Sequence, residues 1–308
     1  MRAPRPLHFG EGDRLMKLSA PAKLNLYLAV GTTRPDGYHA VTTVLVALDL
    51  GDEVTVEPAA ALSLVCEPPV GVPDELNLAW KAALAMGEAF GRPADFAIRI
   101  TKNVPAGAGL GGGSADAAAV IASVASAWGV PAGDARLDSV ASSLGADVLF
   151  PLHGGCALYG GRGEVLERPL PLPGAYFAIA CGDVPVSTVA AYSTLDRLGY
   201  GPAPGPGAVE AALESGAPTA LGSALYNNMT PAALELVPEI GVALADMESA
   251  GGCLGAALCG SGSAVFGVFA RPSEAAAAAA GARGRGLWAV VARPSAGGTI
   301  HQVTPPVV

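Results

Sequence analysis

Val104-Pro105-Ala106-Gly107-Ala108-Gly109-Leu110-Gly111-Gly112-Gly113-Ser114 is the stretch on which the reading of this chain turns. Gly109 to Gly113 holds four glycines in five residues. Just upstream, Phe96, Ile98 and Ile100 alternate with other residues, the period of a strand. Downstream, Val120, Ile121, Val124 and Trp128 recur at helical spacing, so a buried helix is expected from about Ser114. Glycine reaches positive φ and lets backbone N–H groups approach a ligand closely. Directly before a helix, such a loop offers unpaired N–H donors and the positive end of the helix dipole to an anion. Ser114 is expected at the N-cap, where its hydroxyl caps the helix or touches a phosphate or Mg²⁺. A glycine cluster alone is as readily a flexible loop before a capped helix. The preceding strand, the periodic helix and Lys102 just upstream turn the reading toward a phosphate cradle.

Two familiar phosphate loops do not fit. The GxxxxGK[ST] pattern is absent. A GxGxxG can be traced from Gly107 to Gly112, but a dinucleotide fold places it after the first strand, with an acidic residue about 20 residues on. Here several strands precede it, and the acidic residues after Asp116 are Asp134 and Asp138.

Composition narrows the classes. The 308 residues suffice for two domains, and 51% are hydrophobic, which provides a core. A net charge of −9 disfavours nucleic-acid and anionic-membrane partners, which need a broad positive surface. The five cysteines form no CxxC pair, so a reducing, cytoplasmic setting is expected. The four histidines are scattered and give no zinc-type cluster. No run reaches the roughly 18 apolar residues of a membrane span. Residues 1–16 read as a loose extension without the apolar core of a signal peptide, and Met16 is a possible true start.

Outward from the glycine loop, Lys23–Val30 reads as a strand, Arg34–Gly37 as a turn, and Val41–Leu50 and Val54–Glu57 as two strands joined by a tight turn at Asp49–Asp52. Leu62–Cys66 reads as a strand and Asn77–Phe90 as a helix. Beyond the Pro/Gly-rich stretch Gly199–Gly207 come a helical block Pro231–Ala250, a strand Ala264–Phe269, a helix Pro272–Gly281 and a strand Trp288–Ala292; Ala175–Ala180 is a strand before it. This order suits an α+β second domain.

The loop Pro105–Ala118 resembles the PxxxGLGSS-type ATP loop of the GHMP kinases, in the GLGGGS form of the diphosphocytidyl-methylerythritol kinases within that superfamily. Pro21-Ala22-Lys23-Leu24-Asn25-Leu26 is similar to their first motif. Arg34-Pro35-Asp36-Gly37-Tyr38-His39 and Leu48-Asp49-Leu50-Gly51-Asp52 resemble the segments that follow it. Leu144-Gly145-Ala146-Asp147-Val148 resembles their catalytic aspartate segment, and Gly260-Ser261-Gly262-Ser263-Ala264-Val265-Phe266 their third motif. The match runs from about Pro21 to about Phe269, in order.

The resemblance implies a two-domain α+β GHMP kinase fold: an N-terminal ribosomal protein S5 domain 2-like half over 17–168, a C-terminal ferredoxin-like half over 169–308, and an active site in the cleft between them. It implies ATP and Mg²⁺ as cofactors, and a cytidine diphosphate-linked methylerythritol as the substrate, phosphorylated on its 2-hydroxyl in non-mevalonate isoprenoid synthesis. Asp147 and Lys23 are then catalytic. A positioned carboxylate orients an alcohol and accepts its proton, and the ammonium supplies charge to the phosphoryl group. Only four lysines occur in the chain, and Lys23 and Lys102 both fall in motif segments. Lys102, Asn77, Pro105, Gly107, Gly109, Leu110, Gly111, Gly112, Gly113 and Ser114 would hold ATP. Asn25, Tyr38, His39, Thr188, Gly260, Ser261 and Gly262 would hold the substrate, with Tyr38 stacking on the cytidine and His39 bonding its edge. Thr188 and Tyr192 read equally well as core packing. No protein metal ligand stands out, and Mg²⁺ is expected on ATP oxygens and waters. Cys259 departs from the small hydroxyl residue expected before the third motif. A monomer or weak homodimer is expected. Competing expectations are another GHMP kinase (mevalonate, homoserine or sugar), a non-catalytic ligand-binding protein on the same fold, and, remotely, a hydride-transfer enzyme.

Overall fold

The computed structural model describes residues 15–303. The expected extension over 1–16 therefore lies outside the described residues except for its last two, and Met16 already opens the first strand.

The first group of elements is β1 (Met16–Thr33), β2 (His39–Pro58), β3 (Ser63–Glu67), α1 (Leu78–Phe90), β4 (Phe96–Thr101), α2 (Gly112–Ala127), α3 (Ala135–Leu144), α4 (Leu149–His153), β5 (Cys156–Gly160) and β6 (Val165–Pro169). The second group is β7 (Tyr176–Cys181), α5 (Thr188–Leu198), α6 (Gly207–Ser215), α7 (Pro218–Ala224), β8 (Tyr226–Asn227), α8 (Thr230–Leu236), α9 (Glu239–Glu248), β9 (Cys253–Leu258), β10 (Val265–Phe269), α10 (Pro272–Gly284) and β11 (Trp288–Ala292).

These elements form two sheets. The larger runs β3-β4-β2-β1-β8, with β5 and β6 extending from β2. The smaller is antiparallel, in the order β11-β7-β10-β9. The long β1–β2 pair is the spine of the first half. One end of β2 pairs with β5 across Thr43–Val46, and the other with β4 across Glu53–Pro58. The turn expected at Asp49–Asp52 does not form. Instead β2 continues through a register shift opposite Pro21 and Lys23. A Cβ at Gly51 would lie 2.4 Å from the carbonyl oxygen of Ala20, so glycine here serves backbone approach rather than a reversal.

That shift changes which face of the spine each residue meets, as one extra residue in a strand must. Leu18 and Ala20 pack with α2, whereas Ala22, Leu24 and Leu26 pack with the second half. The second core joins Leu24, Leu26, Val44 and Val46 to Phe177, Ile179, Phe266 and Val268 of the smaller sheet. The two halves therefore share an apolar interior. The other face of the smaller sheet is covered by α5, α8, α9 and α10, with Ala178 and Ala180 against Ala275 and Ala279.

Helix α2 is buried along its length, from Ala115 to Ala125. Its alanines give little area per residue but allow close approach to the sheet and to α1. It starts two residues earlier than the sequence period indicated. Gly111, at φ 76°, is the cap residue, and Ser114 is the third residue of the helix rather than its N-cap. The block Pro231–Ala250 is two helices, because Pro238 cannot continue the hydrogen-bond ladder of α8. No helix among the described residues is long and apolar enough to cross a membrane.

Phe266 is fully buried and meets Phe177 edge-on, with ring centroids 5.9 Å apart, in the core that joins the halves. Phe266→Ala should lower stability by about 3–5 kcal/mol, the usual cost of emptying a buried aromatic site. Urea unfolding measures this, and a loss under about 1 kcal/mol would contradict the shared core.

Candidate active site

The cleft between the halves encloses about 530 Å³. It is lined by the glycine loop and the start of α2, by Lys23 and Asn25 of β1, Thr43 of β2, Asp147 and the Gly260–Ser261 turn, with Thr188 and Tyr192 of α5.

The glycine loop leaves β4 through Lys102 and closes onto α2. Gly107, Gly109 and Gly111 have φ between 71° and 80°, which side chains rarely adopt. No side chain caps α2, so its first amides are left for a ligand. The helix dipole adds positive potential at the same place. Nothing lies within 4 Å of a Cβ built at Gly113, whereas one at Gly112 would meet Asp52, Lys102 and Val104.

Lys23 is 6% exposed. Its stem passes Gly111, where a Cβ would approach Lys23 Cγ to 3.1 Å. Its ammonium lies against Gly260, where a Cβ would stand 3.2 Å from Nζ. Nζ donates to Asn25 Oδ1 at 2.6 Å, Asn25 Nδ2 donates to Thr43 Oγ1 at 2.9 Å, and Thr43 donates to the Tyr27 carbonyl at 2.7 Å. Register shifts flank both Lys23 and Asn25 in β1, the device that re-aims strand side chains near binding sites. The two glycine turns are bound to each other and to Lys23. Lys23 N–H donates to Leu110 O at 3.0 Å, and Ala264 N–H to Ala108 O at 2.9 Å.

Cys259 fits where a hydroxyl residue was expected. Its buried thiol donates to Gly109 O at 3.3 Å and lies 3.5 Å from Lys23 O. Burial pushes this thiol up, the Lys23 ammonium opposes the shift, and the Asp147 carboxylate adds to it. Asp147 follows α3, is exposed, and lines the same cleft as Lys23 and the two turns. Tyr192 is pushed up to about 12, by burial first and then by Asp147.

Lys102 has partners the sequence did not reveal. Its ammonium bonds Asp52 of β2 and donates to Asp116 Oδ2 of α2 at 2.7 Å. Asp52 Oδ1 also accepts from the amides of Asn103 and Val104 at 2.6 and 2.8 Å. The cluster ties β2, the loop and α2 together. Burial alone would lower Lys102, but the two carboxylates outweigh it and raise it. Asp116 is raised to about 7, chiefly by burial and further by Asp52, against the pull of Lys102. One ammonium cannot neutralise two buried carboxylates. Asp52 has three donors whereas Asp116 leaves Oδ1 unpartnered, which fits the upward shift at Asp116. The pair does not fit a Mg²⁺ site, because an ammonium already fills the space between the carboxylates. No group of three or more His, Cys, Asp or Glu that could hold a metal occurs among the described residues.

Asn77, assigned to ATP by resemblance, lines the cleft and also caps α1, accepting from the Ala79 amide at 2.9 Å. Thr188 Oγ1 lies 3.3 Å from Ser261 Oγ across the cleft. Pro105 and Leu110 line it as well. Gly262 does not: a Cβ there would point at Leu258, Ile240 and Val186 of the third core. Tyr38 and His39 are not among the residues that line the cleft, but each packs against one that does. The Arg162 guanidinium lies 4.6 Å from the Tyr38 ring centroid, and His39 packs on Tyr192 with centroids 4.9 Å apart. The sequence also missed Asn227, whose amide donates to the carbonyls of Leu258 and Gly260 and so holds the third turn.

Comparison with known proteins agrees with this architecture. The GHMP kinases N terminal domain matches residues 77–159, and the GHMP kinases C terminal domain matches 209–286. The 4-diphosphocytidyl-2-C-methyl-D-erythritol kinase of Mycobacterium tuberculosis is 46% identical over 273 residues, covering 83% of this chain and 85% of that protein. The chain belongs to the 4-diphosphocytidyl-2-C-methyl-D-erythritol kinase family of GHMP kinases. The relative of the same name in Mycobacterium avium is 44% identical over 87% of this chain and 86% of its own. A crystal structure of 4-(cytidine 5'-diphospho)-2C-methyl-D-erythritol kinase superposes with a TM-score of 0.75 at 36% identity, covering 91% of this kinase and 100% of that chain. Homoserine kinase from Cytophaga hutchinsonii, at 22% identity and a TM-score of 0.72, covers 94% of this kinase and 98% of that chain and shares the fold.

The Asp116 carboxyl makes stability depend on pH. Between its ordinary 3.8 and about 7 the unfolded chain has released this proton and the folded chain keeps it, so stability falls as pH rises. Asp116→Asn cannot titrate. Its stability relative to wild type should therefore rise across that window in urea melts at stepped pH. A flat difference would contradict the assignment.

Proposed function

We propose that this kinase transfers the γ-phosphoryl group of ATP to the 2-hydroxyl of 4-diphosphocytidyl-2-C-methyl-D-erythritol, giving the 2-phosphate and ADP. The observation that carries this is the meeting in one cleft of the uncapped start of α2, the buried Lys23 and the carboxylate of Asp147. The amides of the glycine loop and α2 cradle the triphosphate, with Ser114 and Lys102 beside them. Lys23 faces the transferring phosphoryl group, where its charge stabilises the equatorial oxygens. Asp147 orients the alcohol and accepts its proton. Mg²⁺ is assigned to the ATP oxygens and their waters, since the nearby carboxylates are already paired with Lys102.

Asn25 sits beside Lys23 at the acceptor end. Thr188, Gly260 and Ser261 close the cleft over the substrate. Tyr38 and His39, packed on the cleft-lining Arg162 and Tyr192, take the cytidine. Gly262 is assigned to turn geometry rather than contact, because its Cβ position faces the core. The division of the halves is assigned to 168/169, which falls before the last residue of β6 and ahead of the second sheet at Tyr176. A cytoplasmic setting is supported by five free cysteines. The same fold in homoserine and mevalonate kinases keeps another alcohol as the second reading.

A coupled ADP-release assay with cytidyl-erythritol, mevalonate and homoserine tests the choice. Turnover confined to the cytidyl substrate is expected, and preference for another alcohol would overturn it. Asp147→Asn should lower kcat by about 10²–10⁴-fold, the usual worth of a general base, while ATP still binds. Turnover near wild type would remove Asp147 from the chemistry.

A further inference from the structure

Behind Tyr192, which lines the cleft, lies a carboxylate that neither the motifs nor the reaction accounts for. Asp196 lies in the last turn of α5, one turn beyond Tyr192. Its Oδ1 stands 2.8 Å from His39 Nε2 and also accepts from the Tyr200 hydroxyl. The His39 side chain is only 12% exposed and is packed against two rings, Tyr192 at 4.9 Å and Tyr200 at 6.0 Å. Thr33 Oγ1 lies 3.4 Å from the same Nε2. The imidazole is thus held by β2, α5, the residue after the α5 C-cap and the end of β1.

We propose that Asp196 is a positioning residue that fixes His39 in the tautomer with its proton on Nε2, so that Nδ1 reads the nucleobase as an acceptor. An ionised carboxylate accepts and cannot donate, so the nitrogen facing it must carry the hydrogen. The Tyr200 and His39 hydrogen bonds hold the Asp196 carboxyl below its usual range, which keeps it in the accepting form. In the neutral ring Nδ1 is then bare and can only accept. Cytosine presents an exocyclic amine, a donor, at its N4 edge, where uracil presents a carbonyl oxygen. A bare Nδ1 pairs with the first and repels the second. Asp196 would therefore set the choice of base without touching it, much as a carboxylate behind a metal-bound histidine fixes which nitrogen is free.

This inference rests on the proposed placement of the cytidine at Tyr38 and His39, and the test separates the two. Long-range proton–nitrogen NMR of the substrate-free enzyme reads the His39 tautomer directly. Protonation at Nε2 is expected in the wild type and in Asp196→Asn, whose amide oxygen can still accept, and a mixture in Asp196→Ala. In kinetics, Asp196→Ala should raise KM for the cytidyl substrate roughly tenfold, the scale of one charge-assisted hydrogen bond, and move kcat and KM for ATP less. It should also narrow the preference for cytidyl over uridyl substrate, and Asp196→Asn should restore most of that preference. A wild-type proton on Nδ1, or an Asp196→Ala variant with wild-type tautomer, KM and base preference, would overturn the proposal. Failure of the wild-type enzyme to turn over any cytidyl substrate would instead overturn the reading of the site on which it rests.

Discussion

A buried ammonium passing between two glycine turns is the constraint around which this structure is arranged. An isolated charge in an apolar interior is expensive, so Lys23 must have acceptors and must be held. Asn25, Thr43 and the Tyr27 carbonyl provide a directed chain of hydrogen bonds away from it. The turns at Gly111 and Gly260 come so close to its side chain that a Cβ at either would crowd it. Nζ is thereby fixed between the start of α2 and the third turn, where an anion held by the helix amides would meet it. Preorganised charge of this kind needs no rearrangement when the reaction begins.

Rigidity beneath the site follows from the same economy. The β1–β2 spine carries Lys23 and Asn25 on one long pair of strands, and the shifts in its register send neighbouring residues to opposite cores. One core seats α2, and the other joins the two sheets. The Lys102 cluster then ties β2, the loop and α2 through charges rather than apolar contact. That arrangement leaves one carboxylate oxygen of Asp116 without a partner, a local cost within the wall that carries the glycine loop. Cys259 completes the contact between the two turns, its thiol seated among their carbonyls.

Much of this was legible in the sequence because it is local. The glycine loop, the strand before it and the helix after it follow from spacing over some thirty residues. The scarcity of lysine singled out Lys23, and the order of the motifs pointed to Asp147. What stayed hidden depends on contacts distant in the chain. Asp52 reads as a turn residue until Lys102 and the Asn103 and Val104 amides fold onto it. Asn227 looks like any polar residue until β8 pairs with β1 and brings it beneath Gly260. The start of α2 was misplaced because Ser114 is a good cap residue by propensity, while tertiary packing lets Gly111 take the left-handed position instead. Gly262 shares its motif with two cleft residues but faces the core, a matter of backbone direction that no pattern of residue types encodes.

The most direct measurement is a crystal structure of the kinase with a non-hydrolysable ATP analogue and the cytidyl substrate bound together. The account predicts the γ-phosphate against the amides of Gly112 to Ser114, Lys23 Nζ on its oxygens, and the acceptor hydroxyl within hydrogen-bond reach of Asp147. A triphosphate bound away from the start of α2, or an acceptor hydroxyl that Asp147 cannot reach, would contradict it.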